Sequence, residues 1–313
     1  MQRAQDDQRW PRASAWLAAG PGEASPDLGV LGVPTYRTSL SPTGAHQTPA
    51  AVRRALARLA TWCPSRGVDL ADMVNPVDLG NVDEPDEPEE GEWRVSTAAR
   101  LGAGRTSLLV AIGGDNSLTA PLGIGVFADL ISTAGLVTLD AHHDIREGRS
   151  NGSPVRRLID AGLEPERIVQ VGIADWANSR SYGDEAHARG ITAVHRADVA
   201  DRGIAACMAD ALATAGSAGG PVLVDLDLDV CDRSVAPGCP ASLPGGLSAS
   251  ELLAAAYLAG RDPRVVAIDV TEVDATADPD LRTVRLAAMC LLEAAAGLAV
   301  RLGRATGEPM RLI

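Results

Sequence analysis

Short apolar runs alternate along the chain with amphipathic stretches, and this alternation predicts the secondary structure. The apolar runs are rich in β-branched residues and leucine and lack helical periodicity, which indicates strands. The predicted strands are Leu28–Val33, Ser107–Ile112, Gly135–Leu139, Arg167–Gly172, Thr192–His195, Val222–Leu228 and Val265–Val270.

The stretches between these strands predict helices, because their Ala, Arg and Leu residues recur at the helical period. We expect the helices to follow Thr48, Leu118, Pro154, Asp201, Ser248 and Pro279. Pro49 in a first turn and the hydroxyl of Ser248 as an N-cap support two of these starts. The last helix, from about Asp280 to Leu302, is long and rich in alanine.

The strand–helix alternation predicts the α/β class, with a mainly parallel sheet that is covered by helices on both faces. No linker or break in composition divides residues 26–313, so we expect a single domain there. Residues 1–25 are rich in Arg, Asp, Ala and Pro and are expected to form an N-terminal arm. In open parallel sheets, ligands bind beyond the carboxyl ends of the strands, and the chemistry is expected there.

Composition excludes several classes of function. The 313 residues carry a formal net charge of −13, which excludes a generally basic nucleic-acid binder, although a local basic patch stays open. The sequence contains no lysine, so a mechanism that needs a lysine Schiff base or a lysine general base is excluded. An aromatic content of 3% argues against platforms that stack on bases or sugars.

The sequence also predicts a location in the cell. The cysteines form no CxxC pair, which favours reduced thiols over a zinc site or a disulfide framework. The polar N-terminus has no apolar signal core, and no stretch approaches ~20 uninterrupted apolar residues. We therefore expect a cytoplasmic protein that does not contact a membrane.

The run Asp83–Glu92 is acidic and punctuated by prolines. It is expected to form a solvated surface loop, because the prolines space its carboxylates apart and disfavour a metal site.

Polar clusters follow three of the predicted strands. They are Gly113-Gly114-Asp115-Asn116-Ser117, Asp140-Ala141-His142-His143-Asp144, and the alternating run Asp225, Asp227, Asp229 with Asp232. Alternate residues of a strand share a face, so Asp140 and His142 project together, as do the aspartates of the third cluster. Taken singly, the second cluster could be a strand-end turn with a helix cap, and the third the solvent face of an edge strand.

Together, these clusters predict a metal site. Carboxylates packed densely in an apolar surround repel one another and resist ionisation, and a divalent cation removes that conflict. Oxygen ligands with one imidazole favour Mn²⁺ over Mg²⁺, Fe²⁺, Ni²⁺ or Zn²⁺. A pair of such ions lowers the pKa of water toward neutrality, which predicts hydrolysis at a polar carbon. The sequence has neither a GxSxG elbow nor the GxxxxGK phosphate loop.

From about Leu28 onward, the chain resembles the ureohydrolases, the family of arginase, agmatinase and formimidoylglutamase. The family motifs read GGDH, DAHxD and SxDxDxxDPxxxPxxxxxxxGG. Here they stand as Gly113-Gly114-Asp115-Asn116, as Asp140-Ala141-His142-His143-Asp144, and as Asp225 through Pro237 to Gly245-Gly246. The resemblance implies a three-layer α/β/α fold with a parallel eight-stranded sheet, two Mn²⁺ ions per chain, and a homo-oligomer, either a trimer or a hexamer.

The resemblance also implies roles for single residues. Asp140 and Asp227 would bridge the two ions. His142 and Asp229 would complete one metal site, and Asp144 with Asn116 would complete the other. Glu272, in the segment AIDVTEVD, would hold the guanidinium or formimino nitrogens of the substrate.

Two departures from the family pattern bear on the mechanism. Asn116 replaces the histidine of GGDH, and its amide oxygen is a poorer ligand than imidazole, so one metal site is expected to be weak. Asn151 stands where arginase-like members carry a histidine, and an amide does not shuttle protons near neutral pH. Asp144 is therefore the residue expected to orient the attacking water and pass its proton to the leaving amine.

Arg146 favours one member of the family. It continues the second motif as Asp144-Ile145-Arg146, which resembles formimidoylglutamases, and arginine binds carboxylates in a bidentate manner. Arg146, Asn151 and Glu272 are the predicted substrate contacts, with Arg156 and Arg157 as further cations at the rim unless they only face solvent.

The leading hypothesis is thus hydrolysis of N-formimidoyl-L-glutamate to L-glutamate and formamide, as in histidine breakdown. The alternatives are an agmatinase or another guanidino-acid hydrolase, and a non-catalytic ligand-binding member of the fold, which the two His-to-Asn departures motivate.

Overall fold

The computed structural model describes residue 7 and residues 9–308. Its strands are β1 Leu28–Val33, β2 Trp62–Cys63, β3 Val68–Asp69, β4 Pro76–Asn81, β5 Leu108–Gly113, β6 Gly135–Leu139, β7 Ile168–Ile173, β8 Thr192–His195, β9 Val222–Asp227 and β10 Val265–Thr271. The main sheet has eight strands in the order β4-β1-β5-β10-β9-β6-β7-β8. All of its neighbouring strands pair in parallel, while β2 and β3 form a separate antiparallel pair.

Helices connect the strands. They are α1 Ala13–Ala19, α2 Thr48–Ala55, α3 Leu70–Met73, α4 Gly91–Ala103, α5 Thr119–Phe127, α6 Pro154–Asp160, α7 Arg180–Arg189, α8 Arg196–Arg202, α9 Ile204–Ala215, α10 Ala249–Arg261 and α11 Arg282–Arg301. Ser248 caps α10 as the sequence predicts, and Glu251 completes a capping box.

The sheet separates two hydrophobic cores. Leu108 and Val110 of β5 face one core, and Leu109 and Ala111 face the other, as the alternation of side chains along a strand requires. Helices α1, α2, α9, α10 and α11 cover the first core, and α4, α5, α6 and α7 cover the second. The predicted three-layer α/β/α fold with a parallel eight-stranded sheet is confirmed.

Part of the predicted N-terminal arm packs on the body of the protein. Helix α1 buries Ala13, Trp16 and Leu17 in the first core. The indole nitrogen of Trp16 donates a 2.9 Å hydrogen bond to the carbonyl oxygen of Val74. The apolar face of this short helix therefore has a partner within the domain, and residues 13–19 do not project as an arm.

The alanine-rich C-terminal helix lies in the interior. Residues Pro279–Arg301 are long and apolar enough to cross a membrane, but 72% of their most apolar window is buried inside the protein. Ala287, Leu291 and Leu298 are fully buried in the first core. This burial is typical of a core helix in a folded domain.

The acidic run is more buried than the sequence predicts. Asp86 is only 6% exposed, and its Oδ2 accepts hydrogen bonds from the backbone amides of Tyr36 and Arg37, at 2.7 Å each. Glu92 pairs with Arg149 and Arg157 at 2.8 and 2.6 Å. The run is exposed at residues 83–84 and 88–90, as expected of a surface loop, but Asp86 and Glu92 are held by backbone amides and by arginines, which the sequence does not predict.

Candidate active site

The three predicted clusters meet at the carboxyl ends of four neighbouring strands, β5, β10, β9 and β6. Asn116 follows β5, Asp140 and His142 follow β6, Asp227 ends β9 and Asp229 follows it, and Glu272 follows β10. Parallel strands end at the same edge of a sheet, which is why residues far apart in sequence come together here.

Close packing at the end of β5 helps to build this edge. The backbone of Gly114 lies so near Thr35 that a Cβ at residue 114 would be 2.0 Å from the carbonyl oxygen of Thr35. The carbonyl oxygen of Gly114 in turn accepts a 3.0 Å hydrogen bond from the amide of Glu272. Only glycine fits here, and its contacts fix the ends of β5 and β10 relative to each other.

Two groups of side chains could each hold a cation. Asp140, His142 and Asp229 form one group, and Asp140, Asp144 and Asp227 form the other; within each group, the potential ligand atoms lie within 4.8 Å of one another. Asp140 belongs to both groups, so the arrangement is that of two adjacent sites with a shared carboxylate.

The chemistry of these donors fits divalent cations. Asp140 is 1% exposed, and among the described residues its Oδ2 has no hydrogen-bond partner. Burial and the nearby Asp229 raise the pKa of Asp140 to about 7. Burial and the charge of Asp140 also raise the pKa of Asp144, and burial and the charge of Asp229 raise the pKa of Asp227. Buried carboxylates that resist ionisation together are relieved by a bound cation.

His142 lies beside two of these carboxylates. Its Nδ1 is 2.7 Å from Oδ2 of Asp229 and 3.5 Å from Oδ1 of Asp140. Burial lowers the pKa of His142, but the two carboxylates outweigh burial and raise it to about 12. The ring nitrogen therefore lies where carboxylate oxygens converge, and it could act as a metal ligand there.

Asn116 lies beside the second group. Its Nδ2 is 2.8 Å from Oδ2 of Asp144, and its Oδ1 is 2.6 Å from the hydroxyl of Thr119. Asp144 itself has a positive φ of 51°, and its carbonyl oxygen accepts hydrogen bonds from the amides of Val155 and Arg156. The turn into α6 thus holds the carboxylate of Asp144 against Asn116.

Glu272 is held at the mouth of the cluster. Its Oε1 accepts hydrogen bonds from the backbone amide of Asn116 at 2.7 Å and from Nδ2 of Asn151 at 2.9 Å. Its backbone φ of 62° lies in the left-handed region, which is strained for a non-glycine residue. Burial and Asp115 raise the pKa of Glu272 to about 8.

A pocket of about 320 Å³ opens above these groups. Arg146, Asn151 and Glu272, the predicted substrate contacts, all line it together with His142, Asp144, Asp227 and Asp229. Among the described residues, no carboxylate lies within ion-pair distance of Arg146. The pocket therefore has a carboxylate-rich floor and a free cation on its wall.

Arg156 and Arg157 do not supply charge to this pocket. Arg156 pairs with Glu185 at 2.9 Å and donates to the carbonyl oxygen of Ile145. Arg157 pairs with Glu92. Their suggested role as rim cations is wrong, because both guanidinium groups are largely buried in ion pairs that brace the loop of residues 145–153.

The sequence reasoning missed several residues that shape the pocket. Leu40 lines it and donates its amide to Oδ1 of Asn151. Asn178 accepts from the amide of His143 and donates to the carbonyl oxygen of Ala141. These contacts span 35 or more residues along the chain, so no local spacing in the sequence points to them.

Comparison with known proteins extends these observations. The sequence model of the Arginase family matches residues 26–297. A formimidoylglutamase from Halalkalibacterium halodurans is 33% identical over 293 residues, which cover 90% of each chain.

Two solved structures share the fold. The crystal structure of formimidoylglutamase from Bacillus subtilis superposes with a TM-score of 0.88 at 28% identity, over 96% of this chain and 95% of that one. A Trypanosoma cruzi formiminoglutamase solved with Mn²⁺ superposes with a TM-score of 0.83 at 24% identity, over 93% and 99% of the two chains, which shows the common fold. Because the family model matches residues 26–297 and a relative is 33% identical over 90% of both chains, the chain belongs to the arginase family.

Proposed function

We propose that the protein is a metal-dependent hydrolase of linear amidines that converts N-formimidoyl-L-glutamate and water into L-glutamate and formamide. The observation that carries the substrate is Arg146, a cation without a carboxylate partner among the described residues, on the wall of the pocket. A dicarboxylate substrate complements such a cation, because arginine forms bidentate pairs with carboxylates. A dicationic substrate such as agmatine would be repelled by it.

The relatives support this choice. The Halalkalibacterium halodurans protein and the structurally similar Bacillus subtilis protein are both formimidoylglutamases. Each matches this chain over nine-tenths or more of its length, and the family match over residues 26–297 includes every strand that contributes to the pocket.

We propose Asn116, Asp140, His142, Asp144, Asp227 and Asp229 as the residues that hold two Mn²⁺ ions per chain. Asp140 and Asp227 would be shared, His142 and Asp229 would complete one site, and Asp144 with Asn116 the other. When bound, such ions supply a Lewis acid that lowers the pKa of water. An oxygen-rich donor set with one imidazole suits Mn²⁺.

The side chains around the cluster would direct the reaction. Glu272, fixed by the amides of Asn116 and Asn151, would accept hydrogen bonds from the formimino nitrogens and so orient the N–C–N plane. Asp144 would orient the attacking water and carry its proton to the nitrogen of the leaving glutamate. The bond between the formimino carbon and that nitrogen breaks, and formamide keeps the carbon, the oxygen and the other nitrogen.

The direct test is a comparison of substrates with the Mn²⁺-loaded protein. We expect kcat/KM to be highest for N-formimidoyl-L-glutamate, and at least ~100-fold lower for agmatine and 4-guanidinobutyrate, because each lacks a carboxylate that the first substrate has. Preferred turnover of agmatine or 4-guanidinobutyrate would replace this proposal by a guanidino-group hydrolase. Mn²⁺ binding below stoichiometry, without turnover of any of the three, would support the non-catalytic alternative.

We also propose that the chain forms a homo-oligomer, a trimer or a hexamer, as the resemblance implies. Light scattering on the protein as it elutes from a size-exclusion column would give the mass of the assembly directly. A monomeric mass would contradict the proposal.

A further inference from the structure

Asn116 poses a question of orientation. An amide side chain has an oxygen at one end and a nitrogen at the other, and its neighbours decide which way it faces. One end lies 2.6 Å from the hydroxyl of Thr119, and the other lies 2.8 Å from Oδ2 of Asp144 and 3.5 Å from Oδ2 of Asp225. Only the oxygen can bind a cation, so Asn116 is useful as a ligand in one of its two orientations.

Thr119 faces two groups that could take its single hydroxyl proton. Its Oγ1 is 2.6 Å from the amide of Asn116 and 2.7 Å from Oδ2 of Asp269. Asp269 is fully buried in β10, and in the described part of the chain its Oδ1 has no partner. Thr119 is therefore the hydrogen-bond donor that the structure provides for this carboxylate.

The competition between these acceptors favours Asp269. A hydrogen bond to a carboxylate is charge-assisted and about twice as strong as one to a neutral amide oxygen. Once Thr119 donates to Asp269, its oxygen can only accept from Asn116. The amide of Asn116 is then turned over relative to the structure, in which its nitrogen lies against Asp144 and its oxygen against Thr119. In the turned orientation the nitrogen faces Thr119, and the oxygen faces Asp144 and Asp225.

That orientation brings oxygens of three side chains together: Asn116, Asp144 and Asp225. Three facing acceptors repel one another unless a cation lies between them. Asp225 is also fully buried, and it stands where the family motif quoted above begins with serine. Asn116 and Asp225 both depart from the family motifs, lie side by side and offer oxygen.

We propose that Thr119 and Asp269 are positioning residues, which turn the carbonyl oxygen of Asn116 toward the metal in the site that lacks the family histidine. This inference rests on the proposed metal site but not on the identity of the substrate. Asp269 and Thr119 thereby fix the orientation of an amide ligand through hydrogen bonds, just as a hydrogen-bonded carboxylate fixes the orientation of a histidine ligand.

The test is Mn²⁺ binding at pH 8, measured by the electron paramagnetic resonance signal of free Mn²⁺ during titration, with the low-temperature signal of the coupled ion pair as a second readout. We expect Thr119→Val to weaken the weaker of the two sites by about 10- to 100-fold, the usual effect of losing such an outer contact. The signal of the coupled pair should be lost at matched Mn²⁺ concentration.

Thr119→Ser should restore both readouts to within about threefold, because it keeps the hydroxyl. Asp269→Asn, which keeps the shape but not the charge, should weaken the same site.

A double variant separates positioning from packing. Asn116→His replaces the amide by a ring that needs no such orientation, so adding Thr119→Val to it should change Mn²⁺ affinity by less than about threefold. Thr61→Val is the matched control for removal of a buried hydroxyl, since Thr61 is 1% exposed and lies beside β2, away from the site. Equal weakening by Thr119→Val with and without Asn116→His would overturn the proposal, as would unchanged binding in Thr119→Val. A substrate other than N-formimidoylglutamate would leave it intact.

Discussion

Nδ2 of Asn151 donates a 2.9 Å hydrogen bond to Oε1 of Glu272, while Oδ1 of the same amide accepts from the backbone of Leu40. Asn151 therefore links the backbone of Leu40, in the segment after β1, to the carboxylate that we propose to hold the substrate. In the sequence, Asn151 stands where arginase-like members carry a histidine that could shuttle protons. In the structure, it instead orients Glu272.

This contact predicts the effect of Asn151→Ala. Glu272 would lose one of its two hydrogen bonds to Oε1, and a hydrogen bond to a charged group contributes about 1.5–3 kcal/mol. We expect kcat/KM for N-formimidoylglutamate to fall by about 10- to 100-fold, with bound Mn²⁺ unchanged. Steady-state kinetics and metal analysis of the same sample measure both quantities. Unchanged kcat/KM would show that the backbone amide of Asn116 alone orients Glu272.

Arg146→Met should act on substrate binding. The loss of a bidentate partner for a carboxylate is expected to lower kcat/KM for N-formimidoylglutamate by at least about 10-fold, mainly through a higher KM. Arg180→Met is the matched control, because Arg180 lies at the start of α7 and its side chain is 93% exposed. Equal losses in the two variants would indicate a general field of positive charge and not a contact at Arg146.

Asp144→Asn should abolish turnover more completely than it abolishes metal binding. Proton transfer by a positioned side chain contributes about 10²- to 10⁴-fold to the rate, and an amide cannot carry the proton. We expect kcat to fall by at least ~100-fold in samples that retain Mn²⁺ in the site of His142 and Asp229. Full activity with metal bound would contradict the role given to Asp144.

The pKa shifts predict how Mn²⁺ binding depends on pH. The pKa of Asp140 is raised to about 7 by burial and Asp229, and the pKa values of Asp144 and Asp227 are raised too. These carboxylates must lose their protons to bind a cation, so affinity should increase from pH 6 to pH 8.

The same shifts give the sign for stability. A carboxylate whose pKa is raised in the folded state contributes stability below its unfolded pKa of about 4, and this contribution is lost as the pH rises through about 7. Bound Mn²⁺ offsets that loss. The increase in Tm on adding a fixed excess of Mn²⁺ should therefore be larger at pH 8 than at pH 6. An increase that shrinks with rising pH would mean that these carboxylates are not ligands.

Gly114→Ala should act mainly by lowering the stability of the folded protein. Its Cβ would meet backbone atoms of Thr35, which cannot move aside as a flexible side chain can. We expect a loss of about 2 kcal/mol or more in the free energy of unfolding, measured by chemical denaturation. Gly183→Ala is the control: it lies in α7, where the nearest atom to a Cβ is 3.8 Å away, and alanine there should be neutral or stabilising.

The central strands were predictable, because each is buried on both faces and therefore reads as a continuous apolar run. β1, β6 and β8 have the bounds that the sequence predicts, and the other predicted strands differ by one residue at one or both ends. β4 was missed because the polar residues Asp78 and Asn81, which are exposed at the sheet edge, interrupt its apolar pattern; β8 lies at the other edge but keeps a continuous run of strand-forming residues in Thr192–His195.

Helices α4 and α7 were missed for a similar reason. Only a few of their residues are buried, such as Val95 and Ala99 in α4 and Ala186 in α7. A narrow apolar stripe on a polar helix gives little periodic signal in the sequence. The predicted helix after Asp201 is α9, which begins at Ile204, while the short α8 before it was missed; Gly203, with φ of 79°, separates the two.

The candidate site was predictable where neighbours in space are also neighbours in sequence. Asp140 and His142, or Asp227 and Asp229, are two residues apart and share a face. Contacts between distant elements, such as Thr119 of α5 with Asp269 of β10, could not be read from spacing, because the arrangement that brings them together depends on the whole fold. The ligand roles themselves stay predictions until metal binding is measured.

The pocket is formed partly by the ends of sheet strands and partly by a loop. Its floor stands on β5, β6, β9 and β10, inside the sheet, whereas Arg146 and Asn151 stand on a loop that is braced by Arg149 and Arg157 against Glu92. Changes in that loop leave the strands of the sheet in place. Substitutions in the loop alone would therefore be enough to exchange one substrate for another during evolution, while the residues that we propose to hold the metal ions are inherited unchanged.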